Sequence, residues 1–200
     1  MEIDPQRFAR DAFDWVGSVA VEVDGGLGWR EAGELSDDLY SGTAGVLLGC
    51  AQARASGVDT SAVAAGAVSR LTHLADHSPS ATAMPDDGLF TGWSGVAVAL
   101  RTWAGVVDDG EAAAAAALVT SQIAERIRHR PDDPARYTDV ISGDAGILLA
   151  LLPDDSDAAR DAANVLADGL VKLAEAGPDG LQWQMTADWG YLMPGFSHGT

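Results

Sequence analysis

A short motif recurs four times along the chain, and this repeat constrains the fold more than any other feature of the sequence. The four copies are "DLYSGTAGVLL" from Asp38, "GLFTGWSGVAV" from Gly88, "DVISGDAGILL" from Asp139 and "GFSHGT" from Gly195. Their equivalent glycines, which are 50, 51 and 56 residues apart, are Gly42, Gly92, Gly143 and Gly199. A period of this size indicates one supersecondary unit used repeatedly. We therefore expect repeats that begin near residues 38, 88, 139 and 195.

Each repeat predicts a pair of helices. A run that is apolar on all sides follows each motif, at residues 46–51, 96–100 and 147–152, as is typical of a helix surrounded by protein. A second, amphipathic helix is expected at about residues 63–74, 110–128 and 156–176. Strand signals are scarce, and only "GLQWQM" alternates clearly. The predicted fold class is all-α, a series of helical hairpins arranged as a solenoid or as a closed α/α toroid, and the fully apolar inner helices favour the toroid.

The two glycines of each motif indicate fold rather than chemistry. Spaced three residues apart at the start of each inner helix, they permit positive φ in the turn and close approach of neighbouring helices. We expect them to serve packing.

The overall charge and the cysteine content exclude several classes of protein. The formal net charge is −18 at pH 7, from 30 acidic and 12 basic side chains, so the surface repels a phosphate backbone and no nucleic-acid partner is expected. Cys50 is the single cysteine and lies in an apolar run, which rules out a disulfide framework and predicts a buried thiol. We find no signal-peptide pattern and no apolar run of about 18 residues, so we expect a cytoplasmic protein without a membrane span.

The fourth repeat departs from the other three at the residue before its first glycine. The four copies carry Ser41, Thr91, Ser142 and His198 at this position. A hydroxyl there is suited to capping the inner helix, whereas an imidazole caps poorly. We interpret His198 as a residue for proton transfer or metal coordination, because neutral histidine performs either near pH 7.

A carboxylate stands four residues before the glycine in two of the copies, which carry Asp38, Gly88, Asp139 and Gly195 in turn. In a ring of repeats, equivalent positions face one cavity, so Asp139 could reach His198 of the next repeat and fix its tautomer. The aspartates could equally do no more than cap their turns. We select His198 and Asp139 as the catalytic candidates and Asp38 as a residue that lines the cavity.

Other candidates are less distinctive. Trp93 and Asp144 replace the small residue after the glycine and are predicted to line the cavity, although Trp93 could equally be core. His73 and His77 lie one helical turn apart, but a zinc site needs three or four ligands, so we expect solvated side chains. Three aromatic residues just ahead of the last motif could form an apolar wall for a ligand or anchor the final connection; they are Trp183, Trp189 and Tyr191.

The four motifs resemble those of the lanthionine synthetase C-like family, which comprises the cyclases of lantibiotic biosynthesis and their relatives. The segments that carry the resemblance are "LYSGTAGVLL", "LFTGWSGVAV", "DVISGDAGILL" and "PGFSHGT", and it extends from about Leu35 to the end of the chain. It implies a toroid of seven inner and seven outer helices, of which residues 1–200 would form about half, the N-terminal part of a single domain. It also implies a cyclase that adds a peptide cysteine thiol to dehydroalanine or dehydrobutyrine, forming a thioether ring.

The resemblance assigns roles to two residues. The family's histidine before glycine falls on His198 and its Asp-Val-Ile aspartate on Asp139, the proposed acid/base residue and its partner. The family's zinc ion is held by two cysteines and a histidine in later repeats, so Zn2+ is implied as a cofactor. Its ligands are expected downstream of residue 200, with none in this chain, which would be inactive alone. A dehydrated precursor peptide is the expected substrate, and a dehydratase or kinase domain or protein is an expected partner.

Two other functions remain open from the residues alone. One is a non-catalytic relative that binds peptides or thiol compounds. The other is a glycosidase-like α/α toroid with Asp38 and Asp139 as acid/base carboxylates, which leaves the Ser-His-Gly motif unexplained.

Overall fold

The computed structural model describes residues 4–77, 86–130, 136–178, 180–186, 189–190, 192–193, 195 and 197–198. The helices in these residues are α1 (Pro5–Ser18), α2 (Thr43–Ala55), α3 (Ser61–His77), α4 (Trp93–Val107), α5 (Gly110–His129), α6 (Asp144–Leu151) and α7 (Asp157–Leu173). Helix predominates, which confirms the all-α prediction. Among these seven, none is both long and apolar enough to cross a membrane.

Two kinds of helix alternate after α1, as the repeat predicts. The apolar helices α2, α4 and α6 each begin at the residue after a motif glycine. The amphipathic helix α3 packs on α2, and α7 packs on α6. The buried residues of α3 recur every three or four positions, which is the spacing of one helix face; they are Val63, Ala64, Ala67, Val68, Leu71, Leu74 and Ala75. These are the helical hairpins expected of part of an α/α toroid.

The chain divides into two compact units, the first of which comprises residues 1–84 and 95–118. This unit contains an antiparallel three-stranded sheet of β1 (Val21–Val23), β2 (Gly26–Glu31) and β3 (Glu34–Ser36). The sheet packs on α3 through β2. The scarce strand signals of the sequence did not indicate this sheet.

Tight turns explain why this sheet forms from such short strands. Ala32 and Gly33 join β2 to β3 with φ of 49° and 93°. Positive φ at both residues of a two-residue loop matches the right-handed twist of a hairpin. Trp29 fixes the sheet against α1, because its buried indole N–H donates to the carbonyl of Val16 at 2.9 Å.

The second unit, residues 85–94 and 119–200, holds the last two motif loops. Here β4 (Glu175–Gly177) and β5 (Gly180–Gln182) form an antiparallel pair, so the predicted "GLQWQM" strand is confirmed over its first three residues. Ser156 caps α7, since its Oγ accepts from the N–H of Ala159 at 3.2 Å. The helix ends at Leu173, three residues earlier than predicted.

The motif glycines are needed for close approach and not for positive φ. Gly42 and Gly143 cap α2 and α6 with φ of −125° and −106°, and neither cap receives a side-chain hydrogen bond. The predictions of positive φ and of capping hydroxyls are therefore wrong. A Cβ on Gly42 would collide with the carbonyl of Ser36, and one on Gly146 with that of Val140. The motif loop folds back so closely on its own helix that no side chain fits.

Arginines of the outer helices hold two of the motif loops. Arg70 of α3 contacts Asp37 at 2.9 Å (Nη2 to Oδ2) and 3.2 Å (Nε to Oδ1). Arg126 of α5 binds both oxygens of Asp87, with Nε to Oδ1 at 3.0 Å. Both aspartates stand five residues before the motif glycine. In the third repeat the same position is Thr138, which anchors its loop without an ion pair.

Candidate functional site

His198 and Asp139 are in direct contact. Nδ1 of His198 lies 2.7 Å from Oδ2 of Asp139, and the aspartate side chain is 2% exposed against 36% for the histidine. A backbone bond from the N–H of Val140 to the carbonyl of Ser197, 3.1 Å long, joins the same two loops. The structure thus brings together the two residues that the repeat comparison selected.

The carboxylate of Asp139 is held in place by its own loop. Oδ1 accepts from the N–H of Ser142 at 3.0 Å, and the Asp139 carbonyl accepts from the N–H of Gly146 at 3.2 Å. A buried ionised carboxylate needs such partners, because it has lost its hydration. Only Oδ2 is left to face the imidazole of His198.

This arrangement sets the tautomer of the histidine. When Asp139 is ionised it can only accept, so Nδ1 of His198 carries the proton and donates it. Nε2 is then the basic nitrogen, and no described residue hydrogen-bonds to it. The exposed side of the ring is therefore available to exchange a proton with a ligand.

Asp38 occupies the position of the first repeat that is equivalent to Asp139, and its carboxylate contacts its own loop rather than a histidine. Its Oδ1 accepts from the backbone N–H of Ser41 at 2.8 Å and lies 3.3 Å from the Ser41 hydroxyl. Its carbonyl accepts from the N–H of Gly45 at 3.3 Å. The capping role is thus common to both aspartates, and Asp139 additionally binds an imidazole.

The hydroxyls of the motif join one repeat to the next. Thr91 Oγ1 lies 3.1 Å from Asp86 Oδ1 and 3.1 Å from Ser142 Oγ. Because a carboxylate can only accept, Thr91 donates to Asp86 and accepts from Ser142. The N–H of Phe90 also donates to the carbonyl of Ile141 at 2.9 Å. The loop that positions Asp139 is therefore itself tied to the preceding loop, a feature that the sequence did not reveal.

Trp93 and Asp144 lie elsewhere in the second unit. Trp93 is 4% exposed and belongs to the core. Asp144, 1% exposed, lies 2.7 Å from Nη2 of Arg130 and 2.9 Å from Nε of Arg136. Neither residue belongs to the lining of the pocket beside His198.

A pocket of about 190 Å³ opens beside the histidine. Its lining is mostly apolar and comprises Thr138, Asp139, Val140, Ala145, Leu170, Trp183 and His198. Trp183 is held there by its indole N–H, which donates to the carbonyl of Leu170 at 2.7 Å. The ring of Trp183 therefore lines the pocket, and its bond to α7 also anchors the connection that follows this helix. Tyr191 lies outside the described residues.

The described residues do not fit a zinc ion. They contain no group of three or more histidine, cysteine, aspartate or glutamate side chains that could hold a metal. Cys50 is fully buried, and burial raises the pKa of its thiol to about 11, partly offset by Thr60. A metal ligand must be a thiolate, which this environment disfavours. His73 and His77 stack ring on ring at 4.3 Å on α3.

We predict that Cys50 resists thiol reagents in the native protein at pH 8. With a pKa of about 11, only ~0.1% of the thiol is ionised at that pH, and the sulfur is out of reach. Ellman's reagent should therefore detect the Cys50 thiol only after denaturation, as one thiol more than the Cys50→Ala variant shows. Rapid labelling of the native chain would contradict the burial, and Cys50→Ala provides the blank.

The raised pKa of the Cys50 thiol also makes the free energy of unfolding depend on pH. The folded-state pKa of Cys50 lies above its ordinary value of 9.0, so the protonated thiol favours the folded state. Its contribution is complete below about pH 9 and is lost as the pH rises to about 11.

Fold and site together define a class of protein: helical hairpins whose motif loops hold a histidine and aspartate pair beside an apolar pocket. A family model described as "Lanthionine synthetase C-like protein" matches residues 33–200. The chain belongs to this family, which confirms the resemblance seen in the motifs. It matches no curated protein and no solved structure.

Proposed function

We propose that the chain is the N-terminal part of a lanthionine synthetase C-like toroid domain and supplies the proton-transfer residues of a peptide cyclase. The reaction would add a cysteine thiol to dehydroalanine or dehydrobutyrine and close a thioether ring. The observation that carries the proposal is the 2.7 Å contact between His198 and Asp139 in a member of this family. The proposed substrate is a dehydrated precursor peptide, made by a dehydratase or kinase partner in the cytoplasm.

The reaction requires the transfer of one proton. A bond forms between sulfur and the β-carbon, the carbon–carbon π bond breaks, and the electron pair passes to the enolate. The thiol loses a proton and the α-carbon gains one, so no further reactant is needed. Nε2 of His198 can accept the first proton and return it to the α-carbon, while Asp139 stabilises the imidazolium between the two steps.

Thiol activation by zinc belongs to the family's chemistry and not to the residues described. We propose that its ligands lie elsewhere in the full-length protein. The role of this chain is then to orient the imidazole and to move the proton, which contributes about 10²–10⁴-fold in a typical enzyme.

A non-catalytic relative that binds peptides or thiol compounds is the second candidate. It is favoured by the pocket, which can bind a ligand without reacting with it. A glycosidase is not supported, because the Asp139 oxygens that would act as acid or base accept from Ser142 and His198.

The full-length gene product should be assayed with zinc and a dehydrated peptide encoded nearby. Ring closure leaves the mass unchanged but removes an alkylatable thiol, so we expect one fewer alkylation per ring, counted by mass spectrometry. Peptide without enzyme controls for spontaneous closure. Binding without loss of thiol would identify the non-catalytic relative, and neither binding nor closure would refute both candidates.

A further inference from the structure

The pocket beside His198 offers a ligand one free polar atom. The indole N–H of Trp183 is already bonded to the Leu170 carbonyl, and Thr138 Oγ1 donates to the carbonyl of Gln184 at 2.7 Å. Oδ1 and Oδ2 of Asp139 face Ser142 and His198. Among the described lining residues, Nε2 of His198 is the polar atom left for a ligand.

The rest of the lining is apolar and of side-chain size. Val140, Ala145, Leu170 and the ring of Trp183 make up the walls of a pocket of about 190 Å³. An apolar cavity of roughly 150 Å³ is large enough to bind benzene. One leucine, isoleucine or phenylalanine side chain therefore fits.

Charged side chains do not suit this pocket. A carboxylate would lie close to the buried Asp139 in a chain of net charge −18. An ammonium group has three N–H donors and would lose its hydration, whereas the described lining residues leave it one free acceptor, Nε2 of His198. A buried charge without a partner is strongly unfavourable.

We propose that this pocket is a subsite for one uncharged aliphatic or aromatic side chain of the substrate peptide, at the residue next to the reacting dehydro residue. Consecutive Cα atoms are about 3.8 Å apart, so a side chain in the pocket brings the neighbouring residue to the imidazole of His198. This inference rests on the proposed cyclase function. The pocket would then determine which dehydro residues of a precursor peptide are presented for protonation.

The first test uses peptides that differ only in the residue flanking the reacting dehydro residue. We expect kcat/KM with leucine to exceed that with aspartate or lysine by about 10–100-fold, mainly through KM, from the burial of one apolar side chain. Equal values for the three peptides would overturn the proposal.

Substitutions of residues that line the pocket test whether the pocket causes the preference for a flanking leucine. Ala145→Leu fills the pocket and should abolish the discrimination between leucine and aspartate, whereas Leu149→Ala, at an exposed position of the same helix, should preserve it. Leu170→Ala enlarges the pocket and should shift the preference towards phenylalanine. Thermal melts check that each variant is folded, and a folded Ala145→Leu protein with undiminished discrimination would place the subsite elsewhere.

The second test does not depend on ring closure. N-acetyl-leucine amide and N-acetyl-lysine amide are titrated into the full-length protein while the indole N–H signal of Trp183 is followed by NMR, assigned with Trp183→Phe. We expect the leucine amide alone to shift the signal. A shift without ring closure would refute the cyclase and keep the subsite, and ring closure without a shift or a flanking preference would refute the subsite.

Discussion

His198→Ala and Asp139→Asn should each lower the rate of ring closure by about 10²–10⁴-fold, the range that general acid–base catalysis contributes. The alanine removes the group that carries the proton. The asparagine would place an NH₂ group against Nδ1 of His198, which favours the tautomer with the proton on Nε2 and leaves no base facing the substrate. Initial rates at pH 7, from the loss of alkylatable thiol in the full-length protein, measure both effects.

Asp38→Asn is the matched control for this prediction. Asp38 and Asp139 occupy equivalent positions and accept from the N–H three residues on, at 2.8 and 3.0 Å. An effect on the cap alone would appear in both variants, whereas an effect on the imidazole requires Asp139. We expect Asp38→Asn to stay within about twofold of the wild-type rate. Equal losses in the two variants would reduce Asp139 to a structural cap.

His129→Ala controls for the loss of a histidine as such. His129 ends α5, its side chain is 74% exposed, and it contacts Glu125. Its removal should leave ring closure unchanged, because it lies outside the lining of the pocket. A comparable fall in rate for this variant would show that the assay responds to general damage.

The contact between His198 and Asp139 could be predicted because the repeats supply a geometric rule. Equivalent loops of successive repeats face one another, so His198, which breaks the pattern, is expected near the loop of the preceding repeat, and Asp139 supplies the carboxylate of that loop. The hydrogen bond between Thr91 and Ser142 follows the same rule, 51 residues apart. It was missed because small hydroxyls were assigned to helix caps, whereas the Thr91 hydroxyl contacts the Asp86 carboxylate and the Ser142 hydroxyl instead.

The arginine contacts could not be predicted from sequence. Arg70 and Arg126 reach their aspartates across 33 and 39 residues, and these separations differ because the connections within each repeat differ in length. Which face of an outer helix meets the motif loop depends on how the two helices pack. A charged residue on an amphipathic helix carries no local sign that its partner is in a loop.

The sheet of the first unit was missed for a different reason. Two of its strands are only three residues long, too short for alternation to be recognised. The turn at Asp24 and Gly25 was the available signal, since an Asp-Gly pair between apolar residues is typical of a hairpin. The pocket wall at Trp183 likewise required the structure, because the ring direction is set by its bond to Leu170.

Gly146→Ala should destabilise the protein by about 1–3 kcal/mol, as expected when an atom is forced into a closely packed site. The new Cβ would collide with the carbonyl of Val140 and the Cβ of Leu89, which cannot rotate away. Thermal unfolding of the full-length protein, followed by circular dichroism, measures the effect.

Gly105→Ala provides the matched comparison. Gly105 lies in the inner helix α4, and nothing lies within 4 Å of the Cβ it would gain, so the alanine should raise helix stability by up to about 1 kcal/mol.

Gly146→Ala should also slow ring closure, because the N–H of Gly146 donates to the carbonyl of Asp139 and the displaced backbone carries that carboxylate away from His198. Two variants of equal stability would mean that the motif glycines tolerate a side chain, and a destabilised but fully active Gly146→Ala would separate the packing of the loop from the placement of Asp139.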